Sequence, residues 1–275
     1  MIDPVTAGAG AAASLLALDP VKRLLGPTAD FLGAELAAYT KRRWSHAEKV
    51  IELAAEHVPE PDGKSVPPRV LLAALDEGSK IESEIGHRYF AGVLASSRSE
   101  SGEDDSGVVF TSMLSTMSSE QMKLHCALYT ALHMQWAGSE RNLGDGDGRG
   151  RTKTAIKIDV FLRMFGGGTR FAAQIETGMF SLYQNGLIDN FRYFETGAVS
   201  GQVFHYLSFT PTVLGCQLFL AAIGQNRPKA SDIISGQITF KPMVDLSRNE
   251  VFDASAIQEF DPSQHQAPLG PIPPN

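Results

Sequence analysis

Residues 182–224 constrain the fold of this chain more than any other stretch. They read Leu182-Tyr183-Gln184-Asn185-Gly186-Leu187-Ile188, then two short alternating runs, then Leu207-Ser208-Phe209-Thr210-Pro211 ahead of an apolar segment that stops at Gly224. Asn185-Gly186 ends a helix, because glycine takes left-handed backbone without steric cost. Residues 191–195 and 203–207 alternate as strands, with the turn between them expected at Thr196-Gly197-Ala198. Thr210 is expected to cap the last helix, with Pro211 at its first position.

The preceding residues extend the pattern. Ile156, Val160, Phe161 and Met164 form one helical stripe, Gly166-Gly167-Gly168-Thr169 a turn, and Phe171, Ile175, Met179 and Leu182 a second stripe. Helix, helix, hairpin, helix is the outline of a winged helix, expected over residues 153–245. Residues 237–244 could add a strand.

The first half reads as helical over 26–141. Pro27 opens a long helix that continues toward His57, and Pro67-Pro68 opens the next. Ile81, Ile85, Tyr89 and Val93 form a stripe at four-residue spacing. Residues 96–107 are polar and expected as a solvated loop. Ser118 with Gln121 three residues on is a capping-box signature. Residues 142–152 are expected to be a linker, since six of the seven residues from 144 to 150 are Gly or Asp. Residues 1–25 form an Ala/Gly-rich leader. Residues 246–275, with five prolines from Pro262 on, are expected to be a disordered tail. The fold class is therefore mainly α: a helical domain followed by a winged-helix-like α+β domain with a small hairpin.

Templates for chemistry fail one by one. A P-loop needs Gly five residues after Gly144, where Arg149 stands. An EF-hand starting at Asp145 would place Ile156 where a bidentate carboxylate belongs. His125 and His133 lie eight residues apart on one predicted helix, about 12 Å along its axis. They cannot share a metal there. No Gly-x-Ser-x-Gly elbow occurs. No catalytic residue, cofactor or metal is expected, and the protein reads as non-enzymatic. Cys126 and Cys216 read as buried thiols in a reducing cytoplasm. The start Met1-Ile2-Asp3-Pro4 lacks the cationic region of a signal peptide, which adds to the cytoplasmic expectation. A membrane surface is not an expected partner.

Nucleic acid is weakly supported. The net charge is -7, and DNA-binding domains carry a basic footprint. On the helix expected to read bases, Arg170, Gln174 and Gln184 are available, but Glu176 opposes phosphate. The expected wing, residues 196–202, has no Lys or Arg. The one sharp basic cluster is Lys41-Arg42-Arg43-Trp44. Lys41, Arg42, Arg43, Trp44, Arg170 and Gln174 are the candidate interaction residues, with a protein partner or self-association expected.

An ordered set of short motifs carries a resemblance. Gly26-Pro27 opens a helix, and Val66-Pro67-Pro68 precedes Leu71-Leu72-Ala73-Ala74-Leu75. An acidic helix then ends in His87-Arg88-Tyr89-Phe90-Ala91-Gly92-Val93-Leu94. Met113-Leu114-Ser115-Thr116-Met117-Ser118 follows, then Asn185-Gly186-Leu187-Ile188 and Leu207-Ser208-Phe209-Thr210-Pro211. In this order the chain resembles the abortive-infection alpha (Abi-alpha) family of bacterial proteins, a domain group of unknown molecular function. The resemblance implies an effector or accessory role in defence against phage, by protein interaction or oligomerisation. It brings no catalytic residues. The Gly/Asp run and the proline tail depart from the family pattern. The alternative reading is a winged-helix transcriptional regulator.

Overall fold

The computed structural model of the chain describes residues 29–58, 62–167 and 170–259, with side chains from residue 41 to residue 258. The expected leader, and the tail beyond residue 259, lie outside the described residues. The fold is mixed α+β, with more helix than strand. The chain divides into two compact units: residues 1–117 with 221–227, and residues 118–220 with 228–275.

The first unit is helical: α1 (Ala29–Glu56), α2 (Pro68–Gly78), α3 (Glu84–Ser96) and α4 (Gly107–Ser115). Ser83 caps α3 by accepting from the Gly86 N–H. Helix α3 is the centre of the unit, with every residue from Tyr89 to Ser96 buried. Val50, Leu53, Val70, Ala74 and Leu114 complete the core. A Cβ at Gly92 would sit 1.9 Å from the Ala222 carbonyl oxygen, so only glycine allows this approach. Asn226 donates to the Ser96 and Arg98 carbonyls at 2.9 and 2.6 Å, satisfying acceptors at the end of α3. The expected loop over 96–107 is anchored rather than free, because Ser99 is buried and pairs with Ser65 in both directions.

The second unit starts with α5 (Ser119–Trp136), continues through α6 (Gly146–Gly150), β1 (Thr154–Lys157), α7 (Ile158–Phe165), α8 (Phe171–Gln184), β2 (Ile188–Val199) and β3 (Gln202–Pro211), and enters α9 (Val213–Ala222). Strands β4 (Val251–Asp253) and β5 (Gln258–Glu259) follow. The sheet is antiparallel throughout, in the order β4-β1-β3-β2-β5. The expected capping box is present: Ser118 Oγ accepts from the Gln121 N–H, and Gln121 Oε1 accepts from the Ser118 N–H. Met122, Leu124, Leu128, Tyr129 and Leu132 of α5 pack with Ile156, Phe161, Met179, Leu207 and Phe209 in the core.

Several local expectations are corrected. The cut between units falls after Met117, because α5 is buried on nearly all sides within the second unit. The expected linker, 142–152, is folded. Leu143 is fully buried, its N–H bonds to Ser231 Oγ, and Asp145 caps α6. Gly148 is required there, since a Cβ would lie 1.8 Å from the Asn142 carbonyl oxygen. Ile156 belongs to strand β1, not to the helix that follows. The hairpin turns at Ser200 and Gly201, both at positive φ, rather than at Thr196-Gly197-Ala198, which lie within β2. Thr210 and Pro211 end β3, and the cap of α9 is Thr212, whose Oγ1 accepts from the Gly215 N–H at 2.9 Å. Residues 237–244 form no strand, although Phe240 packs edge-on against His133 and Phe219. Within the expected tail, residues 251–259 contribute both outer strands.

Candidate interaction surface

The basic cluster on α1 is largely consumed within its own unit. Arg43 donates to Asp76 Oδ1 at 2.6 Å, to the Asp76 carbonyl and to Ser79 Oγ, and so ties α1 to the end of α2. Hydrogen bonds from Lys80 and then Arg43 hold the Asp76 carboxyl below its ordinary range. Arg42 lies 3.6 Å from Glu82, and Trp44 donates to Glu48 at 2.7 Å. Lys41 is exposed. Two of the three cations therefore have acidic neighbours already.

Arg170 and Gln174 belong to the second unit and share one cleft of about 280 Å³ beside the first turn of α5. Gln174 Nε2 donates to Glu120 Oε1 at 3.1 Å, and in the same region Gln121 Nε2 donates to Ser181 Oγ at 2.8 Å. These contacts dock α8 on α5. Arg170 is exposed just before α8.

The most distinctive surface was not among the sequence candidates. Phe180 and Tyr183 of α8 are 47% and 44% exposed. Phe191 and Tyr193 of β2 lie beside them, half-buried. Ring centroids are 5.1 Å apart for Phe180–Phe191, 5.8 Å for Tyr183–Phe191 and 6.1 Å for Phe191–Tyr193. These separations are within favourable aromatic range. Tyr193 also donates to Glu176 at 2.8 Å.

Two bulges in β2 build this face. The register against β3 slips between Asp189 and Arg192 and again between Arg192 and Glu195. Asn190 and Phe194 carry the left-handed backbone that marks the slips, with φ of 34° and 56°. In a regular strand, consecutive side chains point to opposite faces. Here Tyr193 and Phe194 both reach rings of α8: Tyr193 meets Phe180, and Phe194 meets Phe171 at 5.8 Å. The signal in the sequence was two aromatic residues off the core stripe of a helix, followed by a strand dense in aromatics. The bulges that bring them together have no sequence signature of their own.

Buried polar groups in the second unit act as structure. Tyr129 Oη donates to the Leu187 carbonyl and accepts from the Thr212 N–H. Burial raises the Tyr129 hydroxyl well above its ordinary value and pushes the Cys216 thiol up to about 12. It lowers His125 to about 3. All three are neutral near pH 7. Among the described residues, no group of three or more His, Cys, Asp or Glu could hold a metal ion, and no helix is long and apolar enough to cross a membrane. Comparison with family models, curated proteins and solved structures gave no match for this chain.

Proposed function

We propose that this is a non-enzymatic protein of the bacterial phage-defence type, acting through a protein contact made by the aromatic face of α8 and β2. The observation that carries the reading is the exposure of Phe180 and Tyr183 next to Phe191 and Tyr193. Aromatic side chains are enriched at protein–protein contacts and dominate their energetics. The defence role follows from the Abi-alpha resemblance. Plaque counts on cells with and without the gene test it; equal counts across diverse phages would contradict it.

The order α5, β1, α7, α8, β2, β3, with β1 and β2 flanking β3, supports a winged-helix reading of the second unit. In that reading α8 is the helix presented to a ligand. Its outward positions carry Ala172, Ala173, Glu176, Thr177, Phe180, Tyr183 and Gln184, with no Lys or Arg among them. That set suits an apolar protein surface rather than phosphates and base edges. The rival reading, a DNA-binding regulator, predicts a salt-sensitive shift of duplex DNA. Absence of any shift at low salt would support the protein-contact reading.

A further inference from the structure

The aromatic face has a candidate ligand within the same chain. Strand β5 pairs antiparallel with the outer edge of β2, Gln258 opposite Ala198 and Glu259 opposite Gly197. Gly197 permits this close approach, since a Cβ there would fall 2.2 Å from Ile257 Cγ2. The pairing gives the point at which β5 ends and the direction in which it runs. Continued past Gly197, that direction leads back along β2 toward Phe194, Tyr193 and Phe191. Phe191 is six residues from Gly197, about 20 Å at strand spacing.

Residues 260–275 lie outside the described residues, but their sequence is distinctive. It contains Pro268-Leu269-Gly270-Pro271-Ile272-Pro273-Pro274, with prolines 268, 271 and 274 at a spacing of three. A polyproline II helix has three residues per turn, so these three prolines would align along one edge. Proline-rich segments in this conformation dock on aromatic-lined surfaces, because the conformation is preformed and little entropy is lost. The backbone carbonyls of such a helix have no internal partners, and Tyr183 offers a hydroxyl donor. Residues 262–275 contain no Lys, Arg, Asp or Glu, which suits an apolar ring surface. Pro268 lies nine residues beyond Glu259, a reach of up to about 30 Å.

We propose that residues 268–274 bind the Phe180–Tyr183–Phe191–Tyr193 face of their own chain and cover it until a partner displaces them. The inference rests on the reading of this face as the contact surface. A short tether gives an effective concentration in the millimolar range, so even a weak motif stays mostly bound.

NMR of the full-length chain tests this, by comparing wild type with the Pro268→Ala/Pro271→Ala/Pro274→Ala variant. The substitutions lie outside the described residues, and the melting transition of each chain checks that both are folded. In wild type, the proline ring protons should show contacts to the Phe180, Tyr183 and Phe191 rings. In the variant, those contacts should vanish and the ring resonances should shift. A synthetic peptide of residues 262–275, added to the variant at about 1 mM, should move them back. Identical ring resonances in the two chains, with no response to peptide, would overturn the proposal. So would a concentration-dependent dimer lost in the variant, which would assign the segment to a second copy. If proline–ring contacts are present but a folded Phe180→Ala/Tyr183→Ala chain still protects cells, the proposed function fails and this inference stands.

Discussion

Tyr129 joins three parts of the second unit through a single oxygen. Its hydroxyl links α5 to the carbonyl that precedes β2 and to the N–H that precedes α9. Tyr129→Phe would leave Leu187 and Thr212 with unmet backbone groups, at a cost of about 1–3 kcal/mol in urea denaturation. Gly215→Ala should cost more, because its Cβ would fall 1.9 Å from Tyr129 Oη and 2.1 Å from the Leu187 oxygen. Beside Tyr129 lies His125, with ring centroids 4.6 Å apart. Burial lowers its pKa from 6.5 to about 3, opposed by a hydrogen bond with the Gly215 backbone. The unfolded chain therefore takes up a proton at this residue before the folded chain does. The contribution to stability is complete above about pH 6.5 and is lost as pH falls toward 3, with a slope of about 1.4 kcal/mol per pH unit. Burial lowers His57 and His87 too, which adds slope of the same sign. Denaturation at pH 7 and pH 4 should show a smaller loss for His125→Asn than for wild type. An equal loss would mean that His125 is not held neutral by the fold.

At the scale of elements, the cap of α9 is the clearest test. Thr212 Oγ1 accepts from the Gly215 N–H and donates to the Gly186 carbonyl at 2.7 Å, joining the end of α8 to the start of α9. Thr212→Ala should cost about 1–2 kcal/mol in thermal or urea denaturation. Thr210→Ala, two residues away in β3, should cost less, because the cap survives. The sequence pointed to the wrong threonine for a physical reason: a proline directly after Thr210 imitates a helix start, and only the pairing of Pro211 with Ile188 shows that the strand continues. Elements defined by local chemistry were legible: the Ser118–Gln121 capping box, the stop at Gly186, and the stripe of Phe171, Ile175, Met179 and Leu182. Elements defined by long-range pairing were not. Strand β1 is four residues long and looked like the first turn of α7. Strands β4 and β5 lie in sequence with no strand periodicity and exist because β1 and β2 offer them edges. The Gly/Asp run gave the opposite error. Of its glycines, Gly148 marks a close backbone approach to Asn142, and the run is anchored by buried Leu143.

For the whole molecule, the sequence candidates and the structure part company. Arg42 and Arg43 serve the first unit internally, and Gln174 docks α8 on α5. Alanine at Lys41 and Arg42 together should therefore leave the protein folded and its cellular effect unchanged. The aromatic face was hidden in the sequence because it depends on two bulges. The most direct measurement is phage plating on cells carrying wild type, Phe180→Ala/Tyr183→Ala or Lys41→Ala/Arg42→Ala, each confirmed folded by its melting transition. Both aromatic side chains are about half exposed and pack on Phe191, so the first variant should stay folded with a modestly lowered melting transition. The expected result is that it plates phage as cells without the gene do, while the second still protects. Protection by the folded Phe180→Ala/Tyr183→Ala chain equal to that of wild type would contradict the account.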